Sequence, residues 1–386
     1  MEGEIRMLRR VAFYHIAVCA LAGCSVIVEI DFSRINEASP PENFGGTSIS
    51  LTSGGMGIGG QGGETNEVGG GGGMGTMHSA SSSGHGGMGG GDGGGPIRPA
   101  SCAPDTPGAD WKCGWQRNAD CCGAIAIDGG TFNRGNDPAF PATVSPFVMD
   151  VYEITVGRFR AFVDAGMGTV ATAPAQGAGA PRGSSAGGWR EEWNSYLAAN
   201  TEELRNSLLC EPTYGTFNPG PLDNERNPMN CMTWYEAYAF CIWDGGRLPT
   251  EAEWNFVAAH GPAQAMYPWG GSFITAERAV YQCSGDGSAP YECTDRDIDA
   301  VGARPSGASF WGHHDLAGNV WEWTLDLSAT YKNPCIDCVN LDVGVDHIVR
   351  GGGFSDSGAD LRSYIRYAEI TETRSFAIGA RCVKEP

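Results

Sequence analysis

The amino-acid sequence predicts an α+β domain over residues 124–386, loop-rich, poor in regular secondary structure and stapled by disulfides. Three observations lead to it. Thr233 with Glu236 and Thr250 with Glu253 each place a glutamate three residues after a threonine, so each pair can satisfy the free amides of a helix start reciprocally. Beyond Gly261 the chain breaks into short aromatic segments between Gly, Pro and Asp, with no helical period kept past a turn or two. The cysteines number 14, and twelve remain once Cys19 and Cys24 are assigned to an export signal, an even set that predicts six disulfides in an oxidising compartment. Zinc is the competing reading of the same cysteines.

The export signal itself rests on the first residues. Arg6, Arg9 and Arg10 precede an apolar run over residues 11–22, too short to span a bilayer and shaped like a signal-peptide core. Met7 is an alternative start. The run ends in Leu21-Ala22-Gly23-Cys24, which resembles the lipobox at which bacterial lipoproteins are cleaved and acylated on the new N-terminal cysteine. The competing reading is an ordinary cleavage site with Cys24 left as a plain thiol. Residues 1–23 are thus expected to be a lipoprotein signal peptide, with Cys24 lipidated and the protein exported. Ser25 at the next position, in place of aspartate, directs the expectation to the outer membrane or cell surface.

Between anchor and domain the composition shifts. Residues 24–44 form a mature N-terminal segment. Residues 45–100 are a Gly-rich tether, expected to be disordered because roughly half its residues are glycine and no apolar periodicity could support a core. A flexible chain of that length reaches on the order of 40 Å. His78 and His85 lie isolated among its glycines and are expected to be solvated. Residues 101–123 hold Cys102, Cys113, Cys121 and Cys122 with few apolar residues, a segment that two local disulfides would staple, their pairing left open. A four-cysteine zinc knot is the alternative, but adjacent Cys121 and Cys122 suit a tetrahedral site poorly.

Within the domain, Thr155 can cap a helix that buries Val156, Phe159, Phe162 and Val163 and ends at Gly166. Residues 167–210 read as an insertion, a Gly/Ala/Pro stretch followed by a polar helix-forming run from 190 to 209. The helix after Thr233 buries Ala237, Phe240 and Cys241 and stops at Gly245-Gly246. Spacing alone pairs Cys210 with Cys231, Cys283 with Cys293, and Cys335 with Cys338. The last pair forms Cys-Ile-Asp-Cys, which also reads as a thioredoxin-type redox motif, although no βαβ pattern surrounds it. His313 and His314 are expected in an exposed turn.

Six motifs carry a family resemblance. They are Asp128-Gly-Gly-Thr-Phe132 with Gly135, Asn227-Pro-Met-Asn-Cys-Met-Thr-Trp234, Gly245-Gly-Arg-Leu-Pro-Thr-Glu-Ala-Glu-Trp254, Tyr267-Pro-Trp-Gly270, Asp315-Leu-Ala-Gly-Asn-Val-Trp-Glu-Trp323, and Arg350-Gly-Gly-Gly-Phe354 with Gly379-Ala-Arg-Cys382. In that order and spacing the domain resembles the formylglycine-generating enzyme (sulfatase-modifying factor) family. The resemblance implies that family's variant of the C-type-lectin-like fold, a calcium ion and a groove for an extended peptide. It also implies a disulfide between Cys241 and Cys382.

Active members of that family oxidise a sulfatase cysteine to formylglycine with oxygen and a copper ion held by two thiolates, a soft pair suited to Cu(I). The matching positions here are Asp356 and Leu361, and the serine of the family's Arg-Gly-Gly-Ser is Gly353. No cysteine occurs between Cys338 and Cys382 to replace the pair, so copper is not expected and no catalytic residue is assigned. Arg247, Glu251 and Trp254 then read as structural, Arg247 pairing a buried carboxylate. Calcium does carry over, onto Asp315, Gly318, Val320 and Glu322, all able to offer oxygen to a hard cation. The competing reading is a capped turn with Glu322 merely salt-bridged. A second calcium site is not expected, since Val280 stands where the family has asparagine.

The formal net charge of −20 repels phosphate backbones, which excludes nucleic acid as a partner. Three functions stay open. One is a non-catalytic module that binds an exported protein, peptide or glycan in a groove beside Asp356 and Arg362; the second is an oxidase with a changed metal site; the third is a structural envelope lipoprotein.

Overall fold

The computed structural model describes residues 6–7, 98–106, 111–183, 187–294 and 296–386. The expected signal core at 11–22, Cys24, and the 45–95 stretch with His78 and His85 lie outside them. Arg6–Met7 form a two-residue strand.

Four helices and a set of short strands build the domain. A hairpin of β1 (Lys112–Cys113) and β2 (Ala119–Asp120) opens it, followed by β3 (Ala124–Ile127), β4 (Gly130–Asn133), β5 (Pro141–Val144) and β6 (Phe147–Asp150). Helices α1 (Val156–Asp164), α2 (Thr201–Ser207), α3 (Trp234–Trp243) and α4 (Glu251–Ala258) come next. The strands β7 (Trp321–Leu327), β8 (Cys335–Ile336), β9 (Asp346–Arg350), β10 (Tyr367–Ile370), β11 (Ile378–Gly379) and β12 (Val383–Lys384) close it. The main sheet has five strands: Arg6–Met7 pairs in parallel with β10, and the order continues β9-β7-β11, antiparallel up to the parallel β7/β11 pair. A second sheet, β12-β6-β3, is antiparallel throughout. The third, β4-β5-β8, ends in a parallel pair. The fold is thus mixed and loop-rich, as the sequence predicts.

Each capped helix starts where a side chain accepts an otherwise orphaned amide. Thr155, Thr233 and Thr250 accept from Arg158, Glu236 and Glu253, and the last two complete reciprocal capping boxes. The 190–209 run is helix-forming, as expected, but in two pieces. It divides into a 3₁₀ turn, Glu191–Tyr196, and α2, because Asn200 caps a new start. Nor is it peripheral: Trp189, Leu197, Leu204 and Leu208 join the largest core cluster beside α1, α3 and the sheet. The segment at 101–106 also docks on the domain. Ser101 donates its amide to Asp244 (2.7 Å), and Arg158, itself paired with Asp150 and Asp244, donates to the Ser101 hydroxyl.

Among the described residues six disulfides join the cysteines: Cys102–Cys122, Cys113–Cys121, Cys210–Cys231, Cys241–Cys382, Cys283–Cys293 and Cys335–Cys338. None of the helices among the described residues is long and apolar enough to cross a membrane.

Candidate functional site

Two neighbouring regions carry the residues singled out above. The first lies where β7 begins and the Arg350–Phe354 turn ends. Gly351 and Gly352 adopt left-handed φ values of 99° and 77°, which L side chains avoid. A Cβ at Gly352 would also meet Leu361 Cδ1 at 2.4 Å. Leu361 is fully buried, packed with Tyr267, Ala279 and Ala317, and so fills with hydrocarbon one position where the family places a thiolate. At the other position, Asp356 turns its Oδ2 inward to accept from the Trp321 indole (2.6 Å) and the Gly353 amide (2.9 Å). Gly353 leaves room for that contact: a Cβ there would sit 3.3 Å from both Asp356 Oδ2 and Trp321 Cδ1. One hard oxygen and a buried alkyl group do not fit a Cu(I) ion.

Around this point aromatic side chains run from the core to the surface. Tyr267 and Trp269 stack at 4.9 Å, and the Tyr267 hydroxyl donates to the Gly358 carbonyl. Arg362 lies over Tyr364, 6.0 Å from its ring centroid. Its guanidinium is held above its ordinary value; burial works against the charge, but the phenols of Tyr364 and Tyr267 outweigh it. Phe273 and Tyr291 stand exposed nearby in sequence, Tyr291 tied by its hydroxyl to Gln282. Gln282 in turn donates its backbone amide to the Asp356 carbonyl, so the 281–283 and 354–356 segments run bonded together.

The second region is the Asp315–Val320 turn. Asp315, Gly318 and Asn319 are left-handed there, and Gly318 admits no side chain because a Cβ would meet the Val280 carbonyl at 2.2 Å. Glu322, the first inward residue of the following strand, is fully buried. Both of its oxygens accept from Arg381 (2.6 and 2.7 Å), and Oε2 also accepts from the Trp254 indole (2.8 Å). Oε1 therefore keeps an unused lone pair. Asp315 Oδ2 accepts from the Gly302 amide.

A third carboxylate that local sequence patterning missed, Glu153, is fully buried here and accepts from Asn319 and the Val320 amide. Nothing around Tyr152-Glu153 marks it, since its partners are more than 160 positions away. Burial pushes the Asp315 carboxyl up to about 6, and Asp299 and Glu322 add to the effect against the pull of Arg381. Burial, then Asp315 and Glu322, raise Glu153 well above the usual range. Three carboxylates thus share one guanidinium: Glu322 is salt-bridged to Arg381, as the competing reading expects, and the oxygens of Glu153, Asp315 and Glu322 do not draw together as a close metal-holding group, so any cation here would depend on Asp315, Glu322 and the Gly318 and Val320 carbonyls.

Other expectations resolve plainly. Arg247 pairs with Glu253 at 2.7 Å and with Glu385 at 3.0 Å. Glu251 gathers Arg350, Arg366 and the Tyr331 hydroxyl. The histidine pair differs from the exposed turn expected. His313 is fully buried, its amide and ring against Ser309, and burial beside Arg381 drives its ring down to about 3. His314 stacks half-buried on Tyr152. The turn is held inward because the Arg381 guanidinium donates to the His314 carbonyl.

A family model for the sulfatase-modifying factor enzyme 1-like domain matches residues 114–386. The formylglycine-generating enzyme of Thermomonospora curvata is 30% identical over an alignment of 300 residues, covering 68% of this chain and 94% of that one. In Mus musculus, a protein named inactive C-alpha-formylglycine-generating enzyme 2 is 28% identical, covering 67% of this chain and 84% of its own. Among solved structures, PvdO from Pseudomonas aeruginosa aligns with a TM-score of 0.46 at 20% identity, covering 68% of this chain and 94% of that one.

Proposed function

The chain belongs to the sulfatase-modifying factor (formylglycine-generating enzyme) family, and from that premise we propose that it carries out no formylglycine-forming oxidation and serves as an exported, lipid-anchored module that binds a peptide, protein or glycan. One observation carries the reading. Where the family's copper pair would be, Leu361 is buried hydrocarbon and Asp356 has its inward oxygen engaged by Trp321 and Gly353. Neither position offers a soft ligand. The name of the mouse relative supplies a precedent for inactivity in the family.

What favours binding is the surface left behind. Phe273 and Tyr291 are exposed, half-buried Trp269 stacks on buried Tyr267, whose hydroxyl reaches Gly358 in the 354–362 turn, and Arg362 lies over Tyr364. Rigid aromatic faces with a few fixed polar groups are what extended peptides and sugars stack against. A calcium ion held by Asp315, Glu322 and the carbonyls of Gly318 and Val320, all hard oxygen donors, would rigidify the adjoining turn. Acylated Cys24 and the Gly-rich tether would present the module at the membrane surface.

The test offers the purified mature protein a Cys-x-Pro-x-Arg sulfatase peptide with copper and oxygen and weighs the peptide by mass spectrometry. We expect the thiol mass to persist. Conversion over multiple turnovers would sink the non-catalytic reading in favour of an oxidase with a changed metal site.

A further inference from the structure

At the opposite end of β7 from Trp321 a cleft of about 250 Å³ opens, lined among others by Arg134, Asp326, Tyr331, Lys332, Cys338 and Arg366. One sulfur of the Cys335–Cys338 bridge lies in its wall. Cys335 is buried at 3% exposure, whereas Cys338 is half-buried and reaches the cleft. Arg134, only 5% exposed, directs Nη1 at Cys338 Sγ from 3.5 Å, and its Nε has no hydrogen-bond partner among the described residues.

This bridge has little to do as a staple. It closes a separation of 3 residues, where the other five close 8 to 141, so it removes the least chain entropy from the unfolded state. The loop it closes is also pinned without it. The Asp337 amide donates to the Thr143 carbonyl (2.9 Å), and its carboxylate accepts from the Ser145 amide and hydroxyl, both at 2.6 Å. A guanidinium beside a cysteine sulfur, by contrast, stabilises the thiolate and so favours the reduced pair.

We propose that Cys335–Cys338 is a thiol–disulfide exchange centre, and that the cleft admits a cysteine of a second, dithiol-bearing polypeptide. A thiolate of that partner attacks Cys338 Sγ, the bond to Cys335 Sγ breaks, and Cys335 leaves as a thiolate that takes up a proton. The partner's second thiolate then attacks its own sulfur in the mixed disulfide and releases Cys338 as a thiolate facing Arg134. The partner's dithiol is oxidised to a disulfide while the chain's bridge is reduced, and the remaining proton goes to solvent. Run in reverse, a partner disulfide restores the bridge. Val339 and Val343, the latter 51% exposed, give the cleft apolar lining beside Cys338 against which a polypeptide can settle.

The test equilibrates the full mature chain in glutathione buffers of rising reduced fraction, blocks free thiols and reads each pair by peptide mass spectrometry. Cys335–Cys338 should open while the other five pairs stay closed and the circular dichroism is unchanged. Arg134→Met should move its midpoint about tenfold toward more reducing buffer, the loss of one charge-assisted contact. A bridge that stays closed until the others open, or whose opening melts the domain, overturns the proposal. As a second measurement, Cys335→Ala leaves a lone Cys338 thiol whose alkylation rate should reach half-maximum below the usual pH of about 8.5. A midpoint at or above that value overturns it as well. Finally, a reduced dithiol peptide should be recovered as its cyclic disulfide, one per bridge opened; opening by glutathione without peptide oxidation would overturn the polypeptide partner.

Discussion

Asp326 shows how a buried carboxylate becomes a pH sensor of stability. Its oxygens accept from the Glu251 and Asn340 amides, yet burial, and after it the charge of Glu251, pushes its carboxyl up to about 7 from an ordinary 3.8. The folded protein therefore holds a proton between about pH 4 and 7 that the unfolded chain gives up. This residue's contribution to stability is full below pH 4 and is lost as pH rises through 7, a swing on the order of a few kcal/mol. Melting curves of the parent and of Asp326→Asn from pH 5 to 8 should separate the effect from that of other carboxylates, with the parent losing ground to the variant as pH rises. A constant gap would mean that Asp326 titrates as it does in the unfolded chain. At this scale sequence reading succeeded for Arg247, whose motif fixes its partner only six positions away. It failed for Glu153 and His313, whose burial depends on Asn319 and Arg381 arriving from distant segments.

Helix starts were legible because caps are local. Thr250 accepts from the Glu253 amide (3.1 Å) while Glu253 Oε2 accepts from the Thr250 amide (2.8 Å), four residues settling the geometry among themselves. Thr250→Ala should lower stability by about 1 kcal/mol in denaturant titration, and a change within experimental error would show that neighbouring contacts supply the lost cap. Strands were less legible. All but the last residue of β7 is buried, so it lacks the alternation that marks a half-exposed strand. The 190–209 run was legible as helix-forming from its polar residues, but not its division, which Asn200 sets by capping a new start. The turn before β7 carries the calcium prediction. A ligand that prefers the folded state adds RT ln(1+[L]/Kd), so melting with calcium should exceed melting with chelator. Asp315→Ala should abolish the difference. Glu322→Ala is the poorer probe, because it also leaves Arg381 buried without its carboxylate, a loss of about 3–5 kcal/mol whatever the cation does. Equal melting of the parent in both buffers would refute the calcium assignment.

For the molecule as a whole, family and fold were legible from six motifs in order from Asp128 to Cys382, because those motifs are the turns and buried pairs on which the core depends. Trp254, for instance, meets Glu322 across 68 positions. Ligand identity was not legible, since a binding surface is set by exposed residues that no packing rule constrains. A lipid anchor at Cys24 would govern which partners the protein can meet. If Cys24 carries two or more acyl chains at roughly 0.8 kcal/mol per buried methylene, the parent should sediment with membranes. Cys24→Ser should stay uncleaved or turn soluble, and limited protease should free an intact domain by cutting within residues 45–95. Recovery of the parent from the medium with its N-terminus processed elsewhere would show the Leu-Ala-Gly-Cys match to be accidental.

The docking of Ser101 has a mechanical side. The Ser101 amide is bonded to Asp244 at the end of α3, and three residues on, Arg247 exchanges backbone bonds with Val383 of β12 (2.9 and 2.8 Å). The beginning and the last strand of the described domain are thus fastened to one short turn. Tension applied to the residues before Ser101 would meet the exposed Arg98–Asp120 pair and then this turn, and the Cys102–Cys122 bond sets a covalent stop behind it. Cys241–Cys382 ties the same helix to the last strand. Load entering there passes through covalent bonds into the hydrophobic centre, and the aromatic face around the 354–362 turn is left off the line of force.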